Sequence, residues 1–259
     1  MLESALRYLG AYRIYEGRLK AEVEAGEIPG HVGIILDGNR RWARVQGING
    51  FGHEQGANRA EELLDWCHDL GIKTVTLYVL STENLDRPPD ELKELFAVIE
   101  EGLRRLLSDQ RIEKYKVNVR GTGRLGVLPG SVMDLLEEIE AKTSDYSQHY
   151  LNIAVAYGGR AEITDVVRSV AKDVKGGVLS PDDISEETVS KRLYTAYLPN
   201  QEPDLIIRTS GEERMSGFLL WQGAYSELVF VDVFWPAFRF IDLLRAIRTY
   251  QKRRRRHGK

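Results

Sequence analysis

An acid, a glycine and several arginines follow the first apolar stretch of the chain. Asp37 comes directly after Val32–Leu36, and it is followed by Gly38, Asn39, Arg40, Arg41 and Trp42. Carboxylate oxygens bind Mg²⁺, guanidinium groups bind phosphate in a bidentate manner, and glycine lets the backbone approach a ligand closely. The segment therefore predicts a combined metal and phosphate site. An Asx turn with solvated arginines is the alternative.

Two later segments carry similar polar side chains after apolar, strand-like stretches. One consists of Ser81, Thr82, Glu83, Asn84 and Arg87, and the other contains Arg208, Arg214 and Ser216. Bidentate guanidinium groups suit a diphosphate better than a single carboxylate, because several phosphate oxygens need donors. Taken alone, the first of these segments is equally typical of a helix N-cap.

A second isolated acid, Glu227, stands where the chain leads into the last strand-like stretch. With Asp37 it offers two carboxylates from different parts of the sequence. Two acids and at least four arginines around one crevice predict Mg²⁺ together with two phosphorylated ligands.

Six stretches rich in β-branched residues alternate with helical patterns, and these elements must position the polar side chains. The predicted strands are Val32–Leu36, Thr74–Leu80, Tyr115–Arg120, Leu151–Tyr157, Asp204–Arg208 and Leu228–Val233. The alternation predicts a single α/β domain with a central, mostly parallel six-stranded sheet flanked by helices. Ligands of such sheets bind at the carboxyl ends of the strands. We place an N-terminal helical extension at residues 1–27 and the catalytic domain at residues 28–259.

The composition excludes several classes of protein. The 259 residues are 42% hydrophobic and 29% charged, with a net charge of −3, which is typical of a globular chain that binds no nucleic acid. The apolar runs are far shorter than the roughly 20 residues of a membrane-spanning helix. A single cysteine, Cys67, and the lack of a secretory signal favour a cytoplasmic protein.

The ordered motifs resemble those of the cis-prenyltransferases, also called undecaprenyl diphosphate synthases or Z-type isoprenyl diphosphate synthases. The matching blocks, from about His31 onward, are HVGIILDGNRRWAR, FGHEQGA, LYVLSTENLDRP, LNIAVAYGGRAEI, DLIIRTSGEERMSGFLLWQGAYSELVF and DVFWP. The resemblance implies condensation of isopentenyl diphosphate with an allylic diphosphate, either farnesyl or geranylgeranyl diphosphate. The implied product is a cis-polyprenyl diphosphate, a lipid-carrier precursor, and diphosphate is released.

The resemblance also implies a role for each matched residue. Asp37 and Glu227 would hold Mg²⁺, and Asn84 would abstract a proton or position substrate. The residues implied for the allylic diphosphate and its pocket are Gly38, Asn39, Arg40, Arg41, Trp42, His53, Ser81, Thr82, Glu83 and Arg87. Arg208, Arg214 and Ser216 would bind isopentenyl diphosphate. Arginines and Mg²⁺ suit this reaction because negative charge develops on the departing diphosphate.

The end of the chain implies a homodimer. Arg256-His257-Gly258 resembles an Arg-x-Gly element that in this family reaches across the dimer to the isopentenyl diphosphate site, so Arg256 joins the substrate-binding residues. The basic run Lys252–Arg256 could instead be a solvated helix end, or could hold the enzyme on anionic lipid, where each charge contributes about 1 kcal/mol.

Two departures from the family pattern leave the primer and the product length open. Asn49 stands where many members have arginine, and Leu85 stands where many bacterial members have tryptophan. Leu85 and the N-terminal extension resemble archaeal or eukaryotic-type members. A synthase of short or irregularly joined products and a non-catalytic partner subunit are the alternatives.

A growing apolar chain needs shelter from water, so we expect a hydrophobic tunnel. Its predicted walls are the sheet near Val79 and the helix Leu92–Leu107. The alternative is that Leu95, Phe96, Ile99 and Leu103 fill a solid core. The segment Gly121–Gly126 spells the GxGxxG of a dinucleotide site, but the required helix does not follow directly, so we reject that interpretation.

Overall fold

The structure is a computed structural model that describes the backbone of residues 2–257 and the side chains of residues 12–253. The strands of this range are β1 (His31–Ile35), β2 (Thr74–Tyr78), β3 (Val117–Thr122), β4 (His149–Ala154), β5 (Leu205–Arg208) and β6 (Glu227–Phe230). Its α-helices are α1 (Leu2–Glu24), α2 (Asn39–Gln46), α3 (His53–Asp69), α4 (Pro89–Ser108), α5 (Gln110–Lys114), α6 (Gly130–Thr143), α7 (Gly159–Lys175), α8 (Glu186–Ser190) and α9 (Phe240–His257).

The six strands form one sheet in the order β3-β4-β2-β1-β5-β6, and every neighbouring pair is parallel. The prediction of a mostly parallel six-stranded sheet is confirmed. The chain fills the side of β1 that holds β2, β4 and β3 before it crosses to β5 and β6. Open α/β sheets bind ligands where the strand order reverses in this way. That point lies at the carboxyl ends of β1, β2 and β5.

The central strands are buried throughout because both faces of the sheet are covered. Every residue of β1, β2 and β5 is buried, as is typical of parallel sheets. Several predicted strands extend two or three residues too far at their carboxyl ends. After β2, Val79 and Leu80 both donate their backbone N–H to the carbonyl of Ala154, so the chain leaves the ladder while Leu80 stays fully buried. The predicted strands are too long because residues just beyond a strand can stay buried and apolar without continuing its pairing.

The N-terminal extension forms one helix, α1, which packs along α9. Leu19 and Val23 of α1 belong to the main hydrophobic core. Gln251 of α9 donates its side-chain amide to the carbonyl of Val23 at 2.8 Å. α1 therefore shares its hydrophobic core with the rest of the chain. The division into an extension at 1–27 and a catalytic domain at 28–259 stays a prediction.

The glycine-rich segment and the cysteine are structural. A single 3₁₀ turn, Leu125–Val127, overlaps the end of the GxGxxG, and α6 begins only at Gly130, so no α-helix opens on these glycines. Cys67 is buried in α3, and burial raises the pKa of its thiol to about 12, which leaves it unreactive. Over the described residues, no helix has both the length and the hydropathy needed to cross a membrane.

Candidate active site

Three predicted polar segments meet around one cavity at the carboxyl edge of the sheet. They follow β2, β1 and β5, which are neighbours, so the sheet itself brings them together. The cavity has a volume of about 1070 Å³. The predicted site residues that line it are Asp37, Gly38, Asn39, Arg40, Arg41, His53, Ser81, Glu83, Asn84, Arg87, Arg208, Arg214 and Ser216.

Asp37 is held between two arginines at the polar mouth of this cavity. Its Oδ2 accepts a hydrogen bond from Nη2 of Arg208 at 2.7 Å, and its Oδ1 accepts one from Nη2 of Arg41 at 3.2 Å. The Thr209 hydroxyl accepts from the backbone N–H of Asp37 at 3.0 Å and donates to its carbonyl at 2.7 Å. Both the side chain and the backbone of Asp37 are therefore fixed.

The environment of Asp37 keeps its carboxyl ionised. Burial by itself raises the pKa of this group, but hydrogen bonds from Arg208 and Ser210 and the charges of Arg208 and Arg41 outweigh burial, so the pKa lies below its ordinary value. The side chain keeps 27% of its surface exposed. An ionised and partly exposed carboxylate is a suitable ligand for a divalent cation.

Arg208 also organises the loop that follows β5. Its Nη1 donates to the carbonyl of Arg214 at 2.5 Å and to the hydroxyl of Ser216 at 2.7 Å. Ser210 and Ser216 have positive φ angles of 80° and 48°, which are strained for residues with a side chain. The buried Nε of Arg208 has no hydrogen-bond partner among the described residues. A phosphate oxygen in the cavity would satisfy such a donor.

A second cluster of charges surrounds Glu91 in the first turn of α4. Nη1 of Arg87 donates to Oε1 of Glu91 at 3.0 Å, and Nη1 of Arg40 donates to Oε2 of Glu91 at 3.4 Å. Nε2 of His53 lies 3.7 Å from Oε1. Burial and the charge of Arg87 lower the pKa of His53 by more than Glu91 raises it, so the imidazole is neutral at pH 7. Glu91 itself is buried and does not line the cavity.

Asn84 is both a helix cap and a cavity residue. Its Oδ1 accepts from the backbone N–H of Ser81 at 3.3 Å, and the Ser81 hydroxyl accepts from the backbone N–H of Asn84 at 3.2 Å. This reciprocal capping box opens the 3₁₀ turn Thr82–Asp86. The N-cap interpretation is therefore confirmed, and the cap leaves Nδ2 of Asn84 unused.

Below its polar mouth the cavity continues as an apolar tunnel between the sheet and helices α3 and α4. Its walls include Val79 after β2 and Leu95, Ile99 and Leu103 of α4. The predicted tunnel is confirmed. Leu95, Ile99 and Leu103 both line the cavity and belong to the main hydrophobic core, whereas Phe96 packs against that core and does not line the cavity.

A smaller cavity of about 80 Å³ adjoins the tunnel near the amino edge of the sheet. The two cavities share Glu61, Leu64, Leu106 and Leu151 as wall residues. His68 and Tyr115 line the smaller one, and their rings stack with centroids 3.7 Å apart. Aromatic and polar groups therefore line the smaller cavity beside the tunnel.

Glu227 does not lie with Asp37. It is the first residue of β6, and the strand register aligns it with Leu205 and, through β5, with Val32. Asp37 lies five residues beyond Val32, which is about 16 Å along parallel strands. Glu227 instead pairs with Arg253 of α9 at 3.2 Å. The two acids do not meet within one chain, because an acid at the start of a parallel strand lies at the amino edge of the sheet. That both acids hold one cation stays a prediction that requires a second copy of the chain.

Three other predicted residues are not placed in the cavity. Trp42 is half-buried on α2 and is not among the lining residues. Thr82 is also outside the lining: its backbone N–H donates to the carbonyl of Tyr157 at 2.9 Å, and its side chain lies against Gly158. Neighbouring residues of a helical turn point in different directions, which motif adjacency does not reveal. The side chain of Arg256 lies outside the described residues, so its role stays a prediction.

The structure adds residues that the sequence did not single out. The Ser210 hydroxyl accepts from Nη2 of Arg41 at 2.6 Å, and Oε1 of Glu212 accepts from Nη1 of the same arginine at 3.0 Å. Ser210 and Glu212 both lie inside the family motif that begins DLIIRTSGEERMSG, so the sequence could have identified them. No sequence signal marks Glu91, because an acid in the first turn of a helix is common for reasons of helix stability alone.

Comparisons with known proteins agree with this geometry. The sequence profile of the family described as "Putative undecaprenyl diphosphate synthase" matches residues 35–258. A relative from Methanopyrus kandleri, described as a tritrans,polycis-undecaprenyl-diphosphate synthase (geranylgeranyl-diphosphate specific), is 55% identical over 249 residues, which cover 96% of this chain and 91% of the relative. An isoprenyl transferase from Thermus thermophilus is 48% identical over 253 residues, which cover 96% of this chain and 95% of the relative.

A solved structure supports the same assignment. Lavandulyl diphosphate synthase from Lavandula x intermedia, crystallised in complex with dimethylallyl diphosphate, matches with a TM-score of 0.84 and 34% identity over 86% of this chain and 95% of that chain. The expected likeness to archaeal members is confirmed by the Methanopyrus relative. This chain belongs to the undecaprenyl diphosphate synthase family, the cis-prenyltransferases, and is a prenyl diphosphate synthase.

Proposed function

We propose that this cis-prenyltransferase extends geranylgeranyl diphosphate with cis units from isopentenyl diphosphate to a polyprenyl diphosphate of undecaprenyl length. The single observation that carries the proposal is the cavity, which joins an arginine-rich mouth to an apolar tunnel. A charged mouth suits diphosphate groups, and an apolar tunnel suits a growing hydrocarbon chain. The geranylgeranyl specificity in the description of the Methanopyrus relative supports the choice of primer.

The allylic diphosphate binds on the side of the mouth formed by α2 and the start of α4. Arg40, Arg41 and Arg87 offer guanidinium donors there, and Gly38 turns the backbone into α2 with a φ of 107°. When the allylic C1–O bond breaks, its electron pair stays on the diphosphate, so these donors stabilise the developing negative charge. Loss of one such donor costs about 3–4 kcal/mol of transition-state stabilisation.

Isopentenyl diphosphate binds on the opposite side, against the loop after β5. Arg208, Arg214 and Ser216 present donors there. Its C4 forms a bond with the allylic C1, and a proton leaves its C2, which restores a neutral double bond. Asn84 positions substrate through its unused Nδ2, since an uncharged amide is a poor base at neutral pH.

The residue of this chain that fits Mg²⁺ is Asp37. Among residues 12–253, no group of three or more His, Cys, Asp or Glu side chains could hold a metal ion by itself. Mg²⁺ commonly takes one or two carboxylates and completes its shell with phosphate oxygens and water. The ionised carboxylate of Asp37 lines the mouth and meets that requirement. When bound, Mg²⁺ supplies further positive charge to the departing diphosphate.

A homodimer would bring two further predicted residues, Glu227 and Arg256, to the site. Glu227 pairs with Arg253 near the carboxyl end of α9, three residues before Arg256. β6 is an edge strand of the sheet; its last residue, Phe230, is 36% exposed, and Tyr225 just before the strand is 95% exposed. Exposed aromatic side chains are enriched at protein interfaces. A second copy docked at this edge would carry Glu227 and the basic tail towards the Asp37 of its partner.

The test is the mass of the products made with Mg²⁺ and isopentenyl diphosphate from dimethylallyl, geranyl, farnesyl or geranylgeranyl diphosphate. We expect the highest kcat/KM with geranylgeranyl diphosphate, a long-chain product, and complete loss of turnover on chelation with EDTA. Short or irregularly joined products alone would contradict the proposed product. Absence of turnover with all four primers would instead support the non-catalytic partner subunit.

A further inference from the structure

Glu91 is a buried carboxylate that reaches the active site only through other residues. Its side chain is 2% exposed and does not line the cavity. Its oxygens contact Arg87, Arg40 and His53, and all three of these residues do line the cavity. Glu91 is thus the shared anion beneath one half of the mouth.

Burial of the Glu91 charge is energetically unfavourable, and neighbouring positive charges offset the loss of hydration. A buried carboxylate is stable only when opposite charges and hydrogen bonds replace water. Arg87 and Arg40 supply those charges, and the N-terminal end of the 20-residue helix α4 favours a negative group in its first turn. An apolar side chain would commonly fill such a place with equal or greater stability. What distinguishes Glu91 from a purely structural buried acid is that its partners Arg40, Arg87 and His53 line the cavity.

The contacts of Glu91 leave most donors of the two arginines available. Each guanidinium has five N–H donors in a rigid plane, and Arg87 and Arg40 each use Nη1 on Glu91. Anchoring one nitrogen of a rigid plane orients the others. The Arg40 side chain is 57% exposed, so without this anchor it would be free to leave the site. Without the intervening anion, the two positive charges would also repel each other.

We propose that Glu91 is a positioning residue for the allylic diphosphate, because its charge holds Arg40 and Arg87 beside His53 with their remaining donors available to the phosphate groups. This inference rests on the proposed assignment of the allylic diphosphate to this half of the mouth. Glu91 touches no substrate and acts through the two arginines. The isopentenyl half, built on Arg208 and Arg214, does not contact it.

The variant that tests the proposal is Glu91→Gln, which keeps the shape of the side chain and removes its charge. The amide oxygen can still accept from Arg87, but it cannot hold two cations. We expect the KM for the allylic diphosphate to rise about tenfold and kcat to fall severalfold, while the KM for isopentenyl diphosphate changes less than about twofold. Glu91→Asp keeps the charge and should recover part of the loss.

Asp242 provides a matched control. It is 3% exposed, lies in the first turn of α9, and pairs with Arg239 and Arg245. It therefore repeats the arrangement around Glu91 at a place away from the cavity. Asp242→Asn should lower Tm to an extent similar to Glu91→Gln and should leave both KM values within about twofold of wild type.

Two results would overturn the proposal. An equal rise in both KM values, or a lower Tm with unchanged KM values, would assign Glu91 to stability alone. Calorimetric binding of inorganic diphosphate separates this test from the primer question, because we expect weaker binding to Glu91→Gln than to wild type whichever primer is preferred. Equally tight binding by the two proteins would also overturn the proposal. Failure of the proposed primer specificity would appear in the wild-type enzyme itself.

Discussion

The mouth and the tunnel of the cavity are built from different parts of the chain. In the mouth, loops after neighbouring strands and the adjoining helix ends carry charged side chains, and Asp37 and Glu91 are each held by two arginines. In the tunnel, the bodies of α3 and α4 and the sheet present apolar side chains such as Leu103. The difference predicts that the bond-breaking step and the length of the product depend on separate residues, so substitutions should change one without the other.

The largest effect is expected at the centre of the mouth. Asp37→Asn keeps the shape and a hydrogen-bond acceptor for Arg208 but removes the negative charge that would hold Mg²⁺. We expect kcat/KM to fall by at least about a thousandfold. Incorporation of labelled isopentenyl diphosphate measures this loss. Circular dichroism should show a fold like that of wild type, and a rate close to wild type would remove Asp37 from the metal site.

A smaller loss is expected when the tail is shortened. Deletion of residues 256–259 should reduce turnover by about tenfold or more in detergent without lipid, because the Arg256 guanidinium would no longer reach the isopentenyl diphosphate of the partner. Product length should stay unchanged, since the tunnel is untouched. A membrane tether would lose only its stimulation by anionic vesicles. Full lipid-free activity of the truncated protein would therefore exclude Arg256 from the site.

Substitution of Ser210 should lower kcat/KM by a still smaller factor, and two variants can separate the causes of that loss. Ser210→Ala and Ser210→Gly both remove the hydroxyl that accepts from Arg41, so both should lower kcat/KM about fivefold to tenfold. Only glycine relieves the strain of the positive φ, so its Tm should be higher than that of the alanine variant. Recovery of the full rate by glycine would show that strain, and not the hydroxyl, matters.

The sequence was sufficient to predict the sheet and the assembly of the mouth. Residues after parallel strands must meet at one edge, so Asp37 and Arg208 could be placed together from their positions after β1 and β5. The same rule, applied strictly, places Glu227 at the opposite edge, because it stands at the start of the last strand, β6. The tunnel was predictable because the stripe of Leu95, Ile99 and Leu103 faces the sheet at helical spacing.

Other features depend on three-dimensional contacts that spacing does not encode. Glu91 has the sequence context of an ordinary exposed helix start, and only the packing of α2 and α3 against α4 buries it among basic residues. Ser210 combines a strained backbone with a hydrogen bond from Arg41, and its position in the sequence encodes neither. Which side chains of α4 line the cavity, as Leu103 does and Phe96 does not, likewise depends on whether the opposite surface leaves space.

The most direct test of the division between mouth and tunnel is Leu103→Trp, assayed both for the rate of the first condensation and for the mass of the final product. Leu103 lies on the tunnel wall, away from the charged residues of the mouth. We predict a shorter product and a first-condensation rate within about twofold of wild type, because added bulk blocks the growing chain without moving a charge. An unchanged product length with full activity, or a first-condensation rate that falls together with product length, would contradict the division.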